Sequence, residues 1–331
     1  MPGPPPPPPP SYPPPVRRSR GPVVAVVAGV VLLLLLAVTA TATVLVLRED
    51  ASETSATESP TGATTSAPEL DRSGALAAAR NAVPAILGYT WRTFDADVAA
   101  AKALMAPEQA RRYTASVGVV RAQAVAQRYT VVASARGAGL VGIDEDRAQV
   151  LAFTLQVATR GDGAPTNTLQ SVVLSLERVD GTWLVANLLM GSSLGDDPGE
   201  PDPERAGVLR AASAFAQAFT NLDHRTVEAD TEAVLALTTG AFRTEYADNL
   251  AGLRRTTTEA GSILTGRVVA AGIEELAEDH AVSVVATTGT VANDADDHEE
   301  TTLEHRLRVT LDRVDGAWLV SGLELLTPED P

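Results

Sequence analysis

Few residues of this chain could do chemistry, and their spacing limits what that chemistry would be. Four histidines occur among 331 residues, and there is no cysteine. That absence excludes disulfides, thiolate metal sites, cysteine nucleophiles and lipoprotein anchoring together. His305 and Glu324 come nearest to an acid–base pair: in an idealised hairpin register they are diagonal neighbours on an inner sheet face, where a dyad could move protons. A bulge or register shift would leave them an ordinary surface pair, and that is the expected arrangement. His298 lies in the run DADDHEE, 294–300. Carboxylates beside a histidine can hold a divalent cation, but this run reads as a solvated turn between strands. His280, after Glu278 and Asp279 at a strand start, reads the same way. No Gly-rich phosphate loop, nucleophile elbow or zinc motif is present. The expectation is therefore a non-enzymatic chain with no catalytic, cofactor-binding or metal-binding residues and no cofactor.

The elements that would carry these residues are legible from periodicity. From Asp71 the pattern is helical, with Ser73 as the expected N-cap and Pro84 expected to kink the first helix. A short helix is predicted from Ala96 to Met105 and a third from Pro107, a favoured first helical position. Strand-like runs follow from Tyr129: YTVVASA, AQVLAFTLQVA, TLQSVVLSLERV and TWLVANLLM. Helices first and an antiparallel sheet after them predict an α+β fold, helices on one face of a curved sheet.

Beyond the Gly, Pro and Asp-rich stretch at 191–204 the same programme repeats. Trp91-Arg92-Thr93-Phe94-Asp95-Ala96 matches His224-Arg225-Thr226-Val227-Glu228-Ala229 at an offset of 133. Leu176 to Val185 (LERVDGTWLV) matches Leu311 to Val320 (LDRVDGAWLV) at an offset of 135. Such self-similarity is the mark of a duplication. Asp180-Gly181 and Asp315-Gly316 each predict a two-residue type I′ hairpin turn, since both positions need positive φ. Residues whose numbers sum to 361 then face each other in the first copy. Trp183, Val185 and Leu189 would share the core face with Val172, Leu174 and Leu176, with Arg178 over the Trp183 indole.

Val23 to Leu47 contains no charged side chain. Its 25 residues, at about 1.5 Å each, are enough to cross a hydrocarbon core of about 30 Å. Arg17, Arg18 and Arg20 precede it and Glu49 and Asp50 follow Arg48, so the N-terminus is expected in the cytoplasm and the remainder outside. A cleaved signal peptide ending near Ala40-Thr41-Ala42 is the rival, disfavoured because apolar sequence continues past it. The predicted organisation is a Pro-rich disordered tail (1–22), a transmembrane helix (23–47), a Ser/Thr/Pro-rich stalk (48–70), a first repeat (71–190), an acidic linker (191–204) and a second repeat (205–327). The proline run Pro4 to Pro10 favours polyproline II, read as a disordered tail rather than a docking motif. Formal net charge is −16, and residues 71–331 carry 22 basic and 37 acidic side chains, a balance of −15. Phosphate backbones are repelled by such a balance, so no nucleic-acid partner is expected.

In plan and in motifs the chain resembles the Mce-associated membrane proteins of actinobacteria. Ala236-Leu237-Thr238-Thr239-Gly240-Ala241-Phe242-Arg243-Thr244-Glu245-Tyr246 is similar to that family's Leu-Thr-Gly-x-Phe…Tyr signature. Val179 to Leu188 is similar to its closing hairpin. The first copy departs from the signature, with Leu104-Met105-Ala106-Pro107-Glu108-Gln109 in its place, and two tandem copies depart from the usual single domain. The resemblance implies NTF2-like (cystatin-like) ectodomains and a non-enzymatic accessory role beside mammalian-cell-entry complexes that move lipids or sterols through the envelope. It also implies protein partners among those subunits and pairing of the two copies through their sheets as an intrachain pseudo-dimer, for which Leu184, Leu188 and Leu319 offer apolar surface. Two alternatives stay open: a scaffold subunit of a conjugation or type IV secretion apparatus, and a pocket isomerase or dehydratase using His305 and Glu324.

Overall fold

The computed structural model describes residues 71–191, 202–296 and 298–328. The predicted tail, membrane span and stalk lie outside these residues, as does most of the predicted linker. Among the described residues no helix is long and apolar enough to cross a membrane.

The first half runs α1 (Arg72–Leu87), β1 (Tyr89–Thr90), α2 (Phe94–Ala103), α3 (Pro107–Gln127), β2 (Tyr129–Ile143), β3 (Arg147–Arg160), β4 (Thr166–Val179) and β5 (Thr182–Met190). The second half repeats that order: α4 (Pro203–Phe219), β6 (Leu222–Asp223), α5 (Val227–Ala236), α6 (Gly240–Glu259), β7 (Ile263–Leu276), β8 (His280–Ala292), β9 (Thr301–Val314) and β10 (Ala317–Leu325). The class is α+β with antiparallel strands throughout, in the order β10-β9-β8-β7-β2-β3-β4-β5.

Local sequence explains the helix ends, with small corrections to expectation. Asp71, not Ser73, caps α1: its Oδ1 accepts from the Gly74 backbone N–H at 2.9 Å. Pro84 lies inside α1, yet the helix continues to Leu87. Helix α2 starts at Phe94 and ends at Ala103, because Leu104 and Ala106 bond instead to Val185 in β5, at 2.9 Å each. Leu237 and Thr239 do the same to Val320 in β10. The Leu-Thr-Thr-Gly stretch thus splices helix to sheet edge, and Gly240, at φ 61°, makes the turn. Helix α4 starts at Pro203, inside the predicted linker, with Asp202 as its cap.

Each half buries its long first helix on the inner face of its own strands. Ala75, Ala79, Ala82 and Val83 are buried in the first half, and Val208, Ala212, Phe215 and Ala216 in the second. These quartets match one for one at the offset of 133. Both Asp-Gly turns are of the predicted kind, with φ of 49° and 78° at Asp180 and Gly181 and 50° and 82° at Asp315 and Gly316. The register follows the predicted sum of 361 from Val179↔Thr182 to Leu176↔Val185. There it slips: Ala186 bulges, Ser175 faces Asn187, and Leu188 rather than Leu189 packs on the core. Ser321 bulges at the matching place in the second half. A bulge reverses which face every later residue presents, which is why the simple alternation fails for Leu189.

The two halves join where β2 crosses β7. The paired residues there are Leu140 and Ile273, which are equivalents at the offset of 133. Beside them Gly139 meets Gly272, the next equivalent pair. A Cβ built on Gly139 would lie 2.4 Å from the Gly272 carbonyl, and one on Gly272 would lie 2.3 Å from the Gly139 oxygen. Equivalent residues meeting each other is the geometry of an isologous two-fold contact, here within one chain. Only glycine permits so close a backbone approach. We expect Gly139→Val and Gly272→Val each to part the halves and lower stability by about 1–3 kcal/mol or more. Gly118→Ala is the control: nothing lies within 4 Å of its position in α3, and it should be neutral or raise stability by about 0.5–1 kcal/mol. Thermal unfolding of the three variants checks this.

Candidate functional site

The second hairpin decides the fate of the candidate dyad. After the Ser321 bulge, Glu324 faces Arg308 across the ladder and leaves the face of His305. Its carboxylate accepts from Arg308 Nη1 at 2.7 Å. His305 stays on the inner face with Leu307 and Val309, its Nδ1 3.4 Å from Thr287 Oγ1. The hollow beside it amounts to about 10 Å³, room for a single water. The two residues point to opposite sides of the sheet, so the geometry brings no dyad together.

The other candidates lie in solvent. His298 Nε2 is 3.5 Å from Asp294 Oδ1, both side chains being about 60% exposed (60% and 63%). His280 Nδ1 pairs with Asp312 Oδ1 at 2.8 Å in the open. Among the described residues no three His, Asp or Glu side chains converge as a metal site would require. Arg178 lies 5.5 Å from the Trp183 ring centre, as predicted, and Arg313 the same distance from Trp318. Trp183 Nε1–H also donates to Asp71 Oδ2 at 3.1 Å, so the cap of α1 is tied to the closing hairpin.

What the fold does build is a seam. The outer faces of the two sheets pack together as a third core, with Val141, Leu151, Phe153, Leu155, Leu169 and Val173 against Ala270, Val284, Ala286 and Leu326. Leu184 and Leu319, from which apolar pairing surface was expected, are not in it, and Leu188 packs on the inner core of its own half. Strand β3 is consequently buried on both faces, with Val150, Leu151, Ala152 and Phe153 all at 0% exposure. That double burial explains an apolar run where alternation would be the rule for a one-sided strand. Burial of Val150, Leu151 and Phe153 contributes roughly 1.5–3 kcal/mol each.

Beside this apolar seam runs a chain of charges. Arg80 of α1 donates to Glu274 of β7 at 3.0 Å and to the Ala138 carbonyl at 3.3 Å. Arg308 of β9 donates to the other Glu274 oxygen at 2.9 Å, to Glu324, and to the Arg136 carbonyl. Glu274, 17% exposed, is thus held between two guanidiniums from different halves. Burial opposes the charge on Arg308, but Glu274 and Glu324 outweigh it and raise its pKa above the ordinary arginine value. Net charge is unevenly shared in the same sense. Residues 71–190 hold 12 basic and 10 acidic side chains, whereas 205–327 hold 10 and 20. Opposite balances facing across a seam favour its closure.

These features define a class before any relative is considered: an α+β chain of two like halves joined through their sheets, whose polar network serves cohesion. The chain belongs to the family of the outer membrane protein Rv1973 of Mycobacterium tuberculosis (strain ATCC 25618 / H37Rv), being 31% identical to it over 116 residues, 35% of this chain and 72% of the relative. The outer membrane protein MT2024.1 of strain CDC 1551 / Oshkosh matches at the same identity and coverage. A family model described as Uncharacterized protein Rv1363c/MT1408-like matches residues 202–327, the second half. Among solved structures, an IcmL-like type IV secretion system protein from Legionella pneumophila is similar at 16% identity and a TM-score of 0.34, over 36% of this chain and 91% of that one. The periplasmic domain of DotI gives 16% and 0.33, over 38% and 98%. An Ntf2-like protein involved in plasmid conjugation gives 12% and 0.25, over 77% and 96%.

Sequence reasoning missed Arg80, Glu274 and Arg308. A signal existed in the continuous apolar run of β3, which marks a strand needing cover on both sides. Glu274→Gln, by leaving two guanidiniums short of a counter-charge, is expected to lower stability by about 1–3 kcal/mol, whereas the more exposed Glu324→Gln should stay within about 0.5. Thermal unfolding separates these, at about 2–4 °C per kcal/mol. Burial, helped by Arg306, pushes the His305 pKa below its ordinary 6.5. The unfolded chain therefore takes up a proton below about pH 6.5 that folded His305 resists, so stability falls as pH drops through that window. His305→Gln should flatten this part of the profile of melting temperature between pH 7.5 and 5.5.

Proposed function

We propose that this chain is a non-enzymatic, membrane-anchored accessory or scaffold protein of the cell envelope, associated with a mammalian-cell-entry type lipid or sterol transport complex. On this reading its two halves are tandem NTF2-like domains held outside the membrane by a helix at 23–47. The observation that carries the envelope assignment is the kinship with a mycobacterial protein named as an outer membrane protein, over 72% of that relative's length. The resemblance of 236–246 to the Mce-associated signature supports the narrower assignment. A seam stabilised by apolar packing and paired charges suits a rigid platform for partners, since it displays fixed surfaces without needing to open.

Affinity purification of the full-length chain from detergent-solubilised membranes, with partners identified by mass spectrometry, tests the role. Lipid-transport subunits among the partners support it, and ATPase and channel subunits of a secretion apparatus instead would replace it. The absence of cysteine makes topology testable without background. Ser55→Cys should react with a membrane-impermeant maleimide in intact cells, and Ser19→Cys only after lysis. The reverse pattern overturns the anchored arrangement.

A further inference from the structure

The internal two-fold relates two ends of the molecule that carry opposite chemistry. In the first half the Trp91 backbone N–H donates to the Tyr129 carbonyl at 3.0 Å, and Tyr129 pairs with Arg160 across β2 and β3. The Gly161 N–H donates to the Arg128 carbonyl at 3.2 Å. One end thus gathers a half-buried indole and three exposed arginines, Arg92, Arg128 and Arg160. Arg92 lies 4.5 Å and Arg128 5.9 Å from the Trp91 ring centre, cation–π contacts that consume no N–H donor. Among the described residues none of these three arginines has a carboxylate partner. Of the acids beside them, Asp95 is paired with Arg121, and Asp97 accepts from the Thr90 N–H and the Thr93 hydroxyl. Asp162 is left as one charge against three.

In the second half the places of Trp91, Arg128 and Arg160 are taken, at the offset of 133, by His224, Gly261 and Asn293. The loop that follows, 294–300, carries five carboxylates and no Lys or Arg, with Asp294, Glu299 and Glu300 exposed. Arg128 sits at φ 51°, where Gly261 turns at φ 56° with no side chain to strain. An arginine held where glycine is easier points to a task for its side chain. Positions 129 and 262 each lie 11 residues before the crossing pair Leu140 and Ile273, on antiparallel strands. The two ends therefore face opposite ways, each roughly 30–36 Å from the crossing at about 3.3 Å per residue. The acids of one chain cannot reach its own arginines, but those of a second chain can.

We propose that the Trp91, Arg92, Arg128 and Arg160 end of one copy docks on the acidic 294–300 end of the next, so that chains associate head to tail. Opposed charges would steer the encounter, and an indole flanked by guanidiniums is the usual make-up of a binding hot spot. Because the contact joins unlike surfaces, it propagates from copy to copy or closes a ring, unlike the isologous seam inside each chain. This holds whether or not the chain works in an envelope complex.

Cysteine cross-linking of the full-length chain in non-ionic detergent tests this, since the natural chain has no thiol. A double variant, Ala164→Cys with Ala295→Cys, places one thiol at each end on an exposed loop residue. At low salt a bismaleimide is expected to give a ladder of dimers, trimers and larger species, and each single-cysteine chain none. In the same background, Trp91→His, Arg128→Gly and Arg160→Asn together should cut the ladder by about tenfold, as should 0.5 M salt. These substitutions import what the other half holds at the same places, and thermal unfolding verifies that the variant is folded. Glu299→Lys with Glu300→Lys, on the exposed loop, decides the matter if it is not. No ladder, or dimers from Ala164→Cys alone, overturns the proposal. So does a ladder that ignores both salt and the substitutions, which is the mark of chains sharing a micelle.

Discussion

Two glycine backbones in contact set the geometry from which the rest follows. Gly139 and Gly272 let β2 and β7 approach to a distance that any side chain would forbid. With that crossing in place, the outer faces of the two sheets are close enough to exclude water and form a third core. The same approach brings Glu274 within reach of Arg80 from the opposite half. It also leaves a cleft between the starts of α1 and α4. Hydrophobic burial supplies most of the cohesion at this seam, and the ion pairs fix its register, which is the usual division of labour between non-directional and directional forces.

The internal two-fold is approximate, and its departures are informative. Glu274 and Arg308 have no charged equivalents in the first half, where the matching positions at offsets of 133 and 135 are Val141 and Val173. Both valines sit in the third core. One side of the seam is therefore dry and the other ionic. A charged pair that would cost too much in the interior is tolerated at a partly open edge, where solvent still screens it. The two halves, having diverged in this way, present different surfaces at the two sides of the seam.

Divergence is also visible in α3 and α6. Helix α6 buries Phe242, Tyr246 and Leu253, whereas α3, of similar length, buries only Ala124 among its described side chains. The second half, to which the family model applies, thus holds its third helix against the sheet more tightly. Burial raises the pKa of the Tyr246 phenol, consistent with a side chain committed to packing. The aromatic positions of the 236–246 stretch therefore act as structural anchors for α6.

Much of this molecule was legible as a string of residues. Period and Asp-Gly pairs are local signals, and they placed the helices, strands and hairpin turns and the recurrence of their order. They reached as far as the first four rungs of each hairpin. Beyond that, a bulge at Ala186 and another at Ser321 reversed the faces of the later residues, separating His305 from Glu324 and turning Leu188 inward. A bulge answers to the packing of a whole sheet over its helix, and no local pattern announces it. The seam was harder still: the apolar outer face of β3 hinted that something must cover it, but Glu274, Arg80 and Arg308 lie as much as 228 positions apart in the numbering and meet only because two backbones cross at glycine. Local rules determine what a segment becomes; which segments touch is decided by long-range contacts whose enthalpy and burial appear only once the chain has closed on itself.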